Sequence, residues 1–206
     1  ASRFEAAAVH ILRLAVPRNV RLEIEGWMPL GSENAEWIIG VDPTDGTAGD
    51  ARIADAGIGT SLQVSAIIGI RRNVPRPTFA DCLWGGLLDL RSGEIFVANS
   101  REASRIDPAT GHVSILSVAK LYNRNNPAIA TEIARRANSF IRFLIPWGVY
   151  PEVFADSHSS ASMMLWALRG YCDGWMNFNL PGITGAGQRG HELGAMAVFA
   201  RAMGAV

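Results

Sequence analysis

The residues best suited to chemistry lie in one stretch, Trp37-Ile-Ile-Gly-Val-Asp42-Pro43-Thr44-Asp45-Gly46-Thr47. Asp42 and Asp45 place two carboxylates three positions apart across a proline. Oxygen donors that converge on one point in this way suit a hard cation, and magnesium (Mg2+) fits best. Gly46 lets the backbone approach a ligand closely, and the amides after it can face an oxyanion, above all where a helix begins. Metal and phosphate would then share one loop, with the Thr47 hydroxyl able to orient an attacking water. The same letters also make an ordinary surface turn, since Asp, Pro and Gly favour turns for local reasons. Taken alone, the motif weighs toward the turn.

The elements that must position these residues are legible on either side. Residues 4–16 carry apolar positions at helical spacing until Pro17 stops them. Val20, Leu22 and Ile24 alternate with Arg21 and Glu23, which predicts a half-buried strand with Glu25 at its exit. Residues 37–41 form a short apolar run that would deliver Asp42 at a strand end, into a turn opened by Pro43. Further strands are expected at 62–70, 83–90 and 112–116, with 83–90 joined through Arg91-Ser92-Gly93 to 94–98 as a hairpin. Helices are expected at 128–144 after Pro127, at 159–168 behind capping serines, and at 192–203. Strands in runs with flanking helices predict an α+β or layered α/β fold, with a mixed or antiparallel sheet packed on helices rather than regular βαβ repetition.

Composition narrows the function classes. A chain of 206 residues, 49% hydrophobic and 18% charged, can bury one substantial core. We read 1–206 as a single unit, with 1–120 as a metal-binding lobe and 121–206 as a substrate-side lobe if it divides. Lysine plus arginine and aspartate plus glutamate both number 19, so no excess charge favours a polyanion, and nucleic acid is not the expected partner. No apolar run reaches membrane-spanning length and no secretory leader is recognisable, so the expected location is cytoplasmic, without a membrane partner. Cys82 and Cys172, set among apolar residues, read as reduced packing thiols.

The stretch ending in Asp42-Pro43-Thr44-Asp45-Gly46-Thr47 resembles the inositol monophosphatase family, in which an apolar strand ends in Asp-Pro-Ile-Asp-Gly-Thr with a tryptophan five residues before the first Asp, the interval kept here by Trp37. Val64-Ser65-Ala66-Ile67-Ile68 is similar to the next strand of that family. Gly85-Gly86-Leu87-Leu88 followed by Gly93-Glu94-Ile95-Phe96-Val97-Ala98 is similar to its hairpin. Ser159-Ser160-Ala161 resembles the Gly-Ser-Ala that opens a later helix, and Arg169-Gly170-Tyr171-Cys172-Asp173-Gly174 resembles its Gly-Arg-x-Asp-Gly turn. His191-Glu192 with Gly194-Ala195 resembles the late Trp-Asp-x-Ala-Ala-Gly helix start.

The resemblance implies a layered sandwich of helices and sheets, and magnesium-dependent hydrolysis of a small phosphorylated sugar, polyol or nucleotide. It makes Asp42, Asp45 and the Thr44 carbonyl metal ligands, with an upstream glutamate, Glu25 or its competitor Glu23, completing the first site. Glu25, Thr47 and Asp45 would act on the water, Gly46 and Thr47 would hold phosphate, and Ser159, Ser160 and Ala161 would border the substrate. Glu192 stands where the family has its third metal aspartate. Ala1 falls where the family has a supporting Thr-Asp pair, and the chain stops just after the late helix, which reads as truncation at both ends. These departures motivate an alternative, a catalytically impaired member that works as a binding or regulatory module. The resemblance also implies a homodimer.

Other signals weigh less. Gly185-Ala-Gly-Gln-Arg-Gly190 has the letters of a dinucleotide fingerprint, but too little chain follows for the rest of that unit. His191-Glu192 begins like a zinc-protease helix, yet Ala195 occupies the second ligand's place. His158 beside Ser159 has no acid placed to complete a triad. Arg71, Arg72 and Arg76 form the densest basic loop, which reads as solvated surface.

Overall fold

Amphipathic spacing and a proline stop give the first element the bounds expected of it. Helix α1 runs Arg3–Ala15, and Pro17 follows it. The computed structural model describes residues 3–45, 65–90, 92–116, 128–131, 152–156, 160–171, 173–176 and 190–204. These residues fall into two compact units, which do not follow one cut in the chain. The first takes residues 1–45, 65–116 and 189–206, and the second takes 46–64 and 117–188.

The first unit is built on a seven-stranded mixed sheet. Its strands are β1 (Val20–Ile24), β2 (Trp37–Asp45), β3 (Ser65–Arg72), β4 (Cys82–Asp89), β5 (Ile95–Asn99), β6 (Ala103–Ile106) and β7 (Val113–Leu116), paired in sequence order. Only β1 and β2 run parallel; every later pair is antiparallel. The alternation of Val20, Leu22 and Ile24 is the burial pattern seen in β1. The expected hairpin is present, with the Asp89 carbonyl accepting from Gly93 N at 2.8 Å across its turn. Two expectations change. β2 does not end at Asp42 but continues through Pro43 to Asp45, and β6 has no counterpart among the strands read from sequence.

Each face of this sheet takes a helix. On one face Val9 of α1 joins Leu22, Ile24 and Val41 in a buried cluster, flanked by Leu12, Val16, Trp27 and Ile68. The other face carries α3 (Gly190–Ala202), which crosses β2 to β5. Ala195, Met196, Val198 and Phe199 of α3 are buried, as are Ile67, Leu87 and Phe96 of the sheet. Full burial of an aliphatic or Phe side chain of this kind contributes about 1.5–3 kcal/mol. Close approach comes from glycine. A Cβ at Gly85 would lie 2.9 Å from the Ala195 carbonyl oxygen, and one at Gly194 would lie 2.9 Å from Cys82 Sγ. The Arg201 guanidinium donates to the Cys82 carbonyl and ties the far end of α3 to the start of β4. Cys82 is a free, buried cysteine, and burial pushes its thiol above the ordinary value, as the packing reading requires.

The second unit holds a parallel three-stranded sheet in the order β10-β8-β9, from β8 (Ala128–Thr131), β9 (Glu152–Asp156) and β10 (Gly174–Met176). Helix α2 (Ser160–Leu168) packs on β8 and β10, with Ala161, Met163, Met164 and Leu165 fully buried. β8 corrects the helix expected at 128–144, whose remaining residues lie outside the described ones. A central parallel strand draws its hydrogen bonds from two distant segments, and a short Ala-Ile-Ala-Thr run has no period that separates strand from helix. β9 and β10 escape the sequence reading for the same reason. Among the described residues no helix is long and apolar enough to cross a membrane.

Candidate functional site

Three rows of residues cross the α3 face of the seven-stranded sheet, each set by ladder register. The first runs Glu23, Gly40, Gly69, Gly85 and Ala98; the second runs Asp42, Ile67, Leu87 and Phe96; the third runs Asp45, Ser65 and Asp89. The first is a shallow, glycine-lined track under the helix. Acidic residues enter in the second and third, toward the carboxyl ends of β1 and β2.

A bulge is what puts Asp42 and Asp45 on the same face. Successive residues of a strand alternate between faces, so two positions three apart lie on opposite sides of a regular strand. Here Asp42 pairs with Ile67 while Asp45 pairs with Ser65, so three steps along β2 match two along β3. The extra residue of the bulge restores the parity. Pro43 sits inside this interval, where a missing N–H is tolerated.

The parallel pairing of β1 with β2 settles where the upstream glutamates lie. Ile24 pairs with Val41, and Glu25 N donates to the Val41 carbonyl at 2.9 Å, so Glu25 follows directly beside Asp42 at the end of the pair. Glu23 lies one row back, opposite Gly40, and its carboxylate is taken up by Arg21 Nε at 3.2 Å and Arg71 at 3.6 Å. The position beside the motif is therefore that of Glu25, and Glu23 serves an ion-pair cluster. Asp42 is 6% exposed and Asp89 2% exposed. A carboxylate that deep must be hydrogen-bonded or paired with a cation.

Of the other residues singled out in the sequence, Thr44 and Asp45 belong to β2, but their side chains lie outside the described set. Glu192 falls in the first turn of α3, on the helix that covers the acidic face, again without a described side chain. Gly46, Thr47 and Ser159 lie outside the described residues; Ser160 opens α2 in the second unit and Ala161 is buried there. Among the described residues no three His, Cys, Asp or Glu side chains gather at metal-binding spacing.

Sequence reading misses two polar residues of the third row. Asp89 closes its hairpin, with its carboxylate accepting from Ser92 Oγ at 2.9 Å. Ser65 is fully buried, and its Oγ has no hydrogen-bond partner. A buried hydroxyl left without a partner costs about 1–3 kcal/mol. Neither residue breaks the pattern of an apolar strand strongly enough to be noticed. The donor set suits magnesium: the candidate ligands are all oxygens, Asp42 is buried, and the Ser65 hydroxyl is an orphan in the same acidic field.

Comparison with known proteins gives no matching family profile and no matching curated protein. Solved structures match clearly. The extragenic suppressor protein SuhB from Bartonella henselae superposes with a TM-score of 0.63 at 16% identity, over 98% of this chain and 73% of that one. The inositol monophosphatase from Anabaena gives a TM-score of 0.62 at 17% identity, over 97% of this chain and 70% of that one. A protein described as an IMPase/NADP phosphatase complexed with Mg2+ and phosphate gives 0.65 at 10%, over 98% of this chain and 66% of that one. The fold is that of the inositol monophosphatases. At these identities the likeness is one of architecture, and the chain spans roughly two thirds to three quarters of each neighbour's length. The inositol monophosphatase fold agrees with the mixed sheet between helices seen in the first unit and with the order of segments that resemble that family in sequence.

Proposed function

We propose that this chain hydrolyses a phosphomonoester of a small sugar, polyol or nucleotide with the help of magnesium. The observation that carries the reading is the β2 bulge, which sets Asp42 and Asp45 on one face of the sheet beside Glu25. A turn formed for purely local reasons has no use for that parity or for a buried Asp42. The inositol monophosphatase fold, and a structural neighbour described with Mg2+ and phosphate, support the same reading.

In this reading Asp42, Asp45 and the Thr44 carbonyl would hold the cation, with Glu25 completing the set and Glu192 of α3 as a further candidate. Bound magnesium supplies Lewis-acid polarisation of the phosphoryl oxygens and lowers the pKa of water. The chain's own groups do the rest. Glu25 takes the proton of the attacking water at its carboxylate, and the Thr47 hydroxyl orients that water in line with the leaving oxygen. Backbone amides from Gly46 onward would receive the phosphate. The new P–O bond comes from water and the ester P–O bond breaks, leaving phosphate and an alcohol. The proposal extends to a homodimer acting on small molecules.

The test is phosphate release from a panel of inositol phosphate, fructose bisphosphate, adenosine bisphosphate and histidinol phosphate, with magnesium and with chelator. Chelator-sensitive turnover is expected. Silence across the panel, together with no thermal stabilisation by millimolar magnesium, would favour the impaired binding module that Glu192 motivates, because a ligand specific to the folded state must raise Tm.

The two glutamates should separate in the same assay. Glu25→Gln is expected to weaken magnesium binding and turnover at least tenfold, roughly the loss that follows removal of one supporting group at a metal site. Glu23→Gln should leave turnover within about twofold while loosening Arg21 and Arg71, since part-exposed ion pairs of this kind are worth only about 0–1 kcal/mol. Equal loss in both variants would contradict the assignment.

A further inference from the structure

The α1 face of the seven-stranded sheet is covered at one end and bare at the other. Val9, Leu12 and Val16 of α1 pack over β1 and β2. Beyond them two ladder rows run out across the sheet, Ala66, Leu88, Ile95, Ile106 and Val113 in one and Ile68, Gly86, Val97, Ser104 and Ile115 in the other. Val113 and Ile115, at the far end, are exposed, Ile115 by 73%. An open cleft of about 420 Å3 lies where α1 meets this floor, and every described residue lining it is apolar or glycine.

Helix α1 also carries a second apolar stripe. Ala7, Ile11 and Leu14 recur at the i, i+4, i+7 spacing of one helical face, which is not the face that carries Val9, Leu12 and Val16. Ile11 and Leu14 are exposed, Leu14 by 76%. Arg13, the charged residue between them, is turned to the Trp27 ring, 5.9 Å from its centroid. An apolar ridge and an apolar trough therefore lie side by side in one unit. A folded monomer seldom leaves a contiguous apolar patch larger than about 300–600 Å2 in water.

We infer that this face is where a second copy of the chain docks, the α1 ridge of each copy seated in the sheet trough of the other. A two-fold axis between ridge and trough covers both at once, as an isologous contact does. A foreign partner would have to supply both shapes. Size agrees: four strand spacings of about 4.8 Å make the floor from β3 to β7 about 19 Å wide, and a helix with its side chains is about 10–12 Å across. Charge agrees too, since a two-fold sets like groups near one another and the cleft holds no charged residue to repel its own copy. The two rows carry no Lys or Arg to hold an anionic lipid surface. The inference gives the proposed homodimer a face and does not depend on the reading of the metal site.

The test is sedimentation equilibrium of wild type, of Leu14→Glu, of Ile115→Lys, and of an equimolar mixture of the two variants. Both side chains are exposed in the single copy, so each variant should keep the wild-type far-ultraviolet circular dichroism. Wild type is expected to dimerise below about 100 µM, and each substitution to raise the dimer Kd at least about 100-fold, because its charge would be buried unpaired. The mixture should regain at least about tenfold of that loss: in a mixed pair the two opposite charges meet in one ridge-and-trough contact, and the other contact is wild type. Variants that dimerise as tightly as wild type remove this face and leave the homodimer standing. Loss in both variants with no recovery on mixing overturns the seating of ridge in trough. A wild type that is monomeric at about 100 µM removes the face and the homodimer together, while phosphate release, read separately, bears on the metal reading alone.

Discussion

If the proposed reading holds, Asp45→Asn is expected to lower magnesium-dependent phosphate release by at least about 100-fold and to leave the protein folded; the size follows from losing a charged ligand in a site that works by electrostatics. Asparagine keeps the shape of the side chain and removes its charge, so the backbone bulge opposite Ser65 can persist. In the proposed reading what is lost is one of the anionic oxygens the cation would need, since magnesium demands hard ligands in tight geometry. The metal-free state points the other way. In the proposed reading Asp42, Glu25 and Asp45 would share one site at the end of the β1–β2 pair, and like charges at short range oppose one another. The variant should therefore melt at or above the wild-type temperature in chelator, while millimolar magnesium should raise Tm in wild type only. A colorimetric phosphate assay and paired melting curves check both halves. Turnover at wild-type rate in Asp45→Asn would remove the phosphatase reading.

Much of the first unit is legible in the sequence because its signals are local. Alternation of Val20, Leu22 and Ile24 marks β1, Pro17 marks the end of α1, and Arg91-Ser92-Gly93 marks the hairpin. The acidic motif is legible as chemistry but not as geometry. Nothing in the letters Asp-Pro-Thr-Asp says that β2 runs on through the proline, or that an extra residue against β3 brings Asp42 and Asp45 to register positions two apart on β3. Parity of that kind is decided by pairing with a partner strand twenty residues away. The same limit applies to Glu23 and Glu25: alternation puts both on one face, while the parallel register sets Glu23 opposite Gly40, and Arg21 and Arg71 pair with its carboxylate. In the second unit the strands are parallel and short, so local patterning is weakest where distant pairing does most, and Ala128–Thr131 is read as helix. Ser65 is hidden for a different reason: a serine in an apolar strand is unremarkable until its burial and missing partner are known.

Gly85→Ala is expected to destabilise the protein by roughly 2–3 kcal/mol and lower Tm by about 4–12 °C, far more than the gain of a few tenths to 1 kcal/mol that restricting the unfolded chain would supply. The added Cβ would stand 2.9 Å from the Ala195 carbonyl oxygen and 3.0 Å from its Cα, both backbone atoms of α3. β4 cannot yield, because it is hydrogen-bonded to β3 on one side and β5 on the other. The helix must therefore lift, and even a gap of half an ångström forfeits a quarter or more of each dispersion contact made by Met196, Val198 and Phe199. Glu192, a cation ligand in the proposed reading, belongs to the first turn of α3 and would shift with it. Magnesium affinity should then fall in a variant whose carboxylates are all intact. Gly86→Ala is the matched control. Its Cβ would meet the Trp84 ring at 2.6 Å and Ile68 Cγ2 at 2.7 Å, side-chain atoms on the opposite face of the sheet. That variant should lose stability through repacking while its magnesium affinity, measured on the folded protein, stays at the wild-type value. If both variants lose affinity alike, the coupling runs through global stability; if only Gly85→Ala does, close seating of α3 on the glycine row is what presents its first turn to the cation.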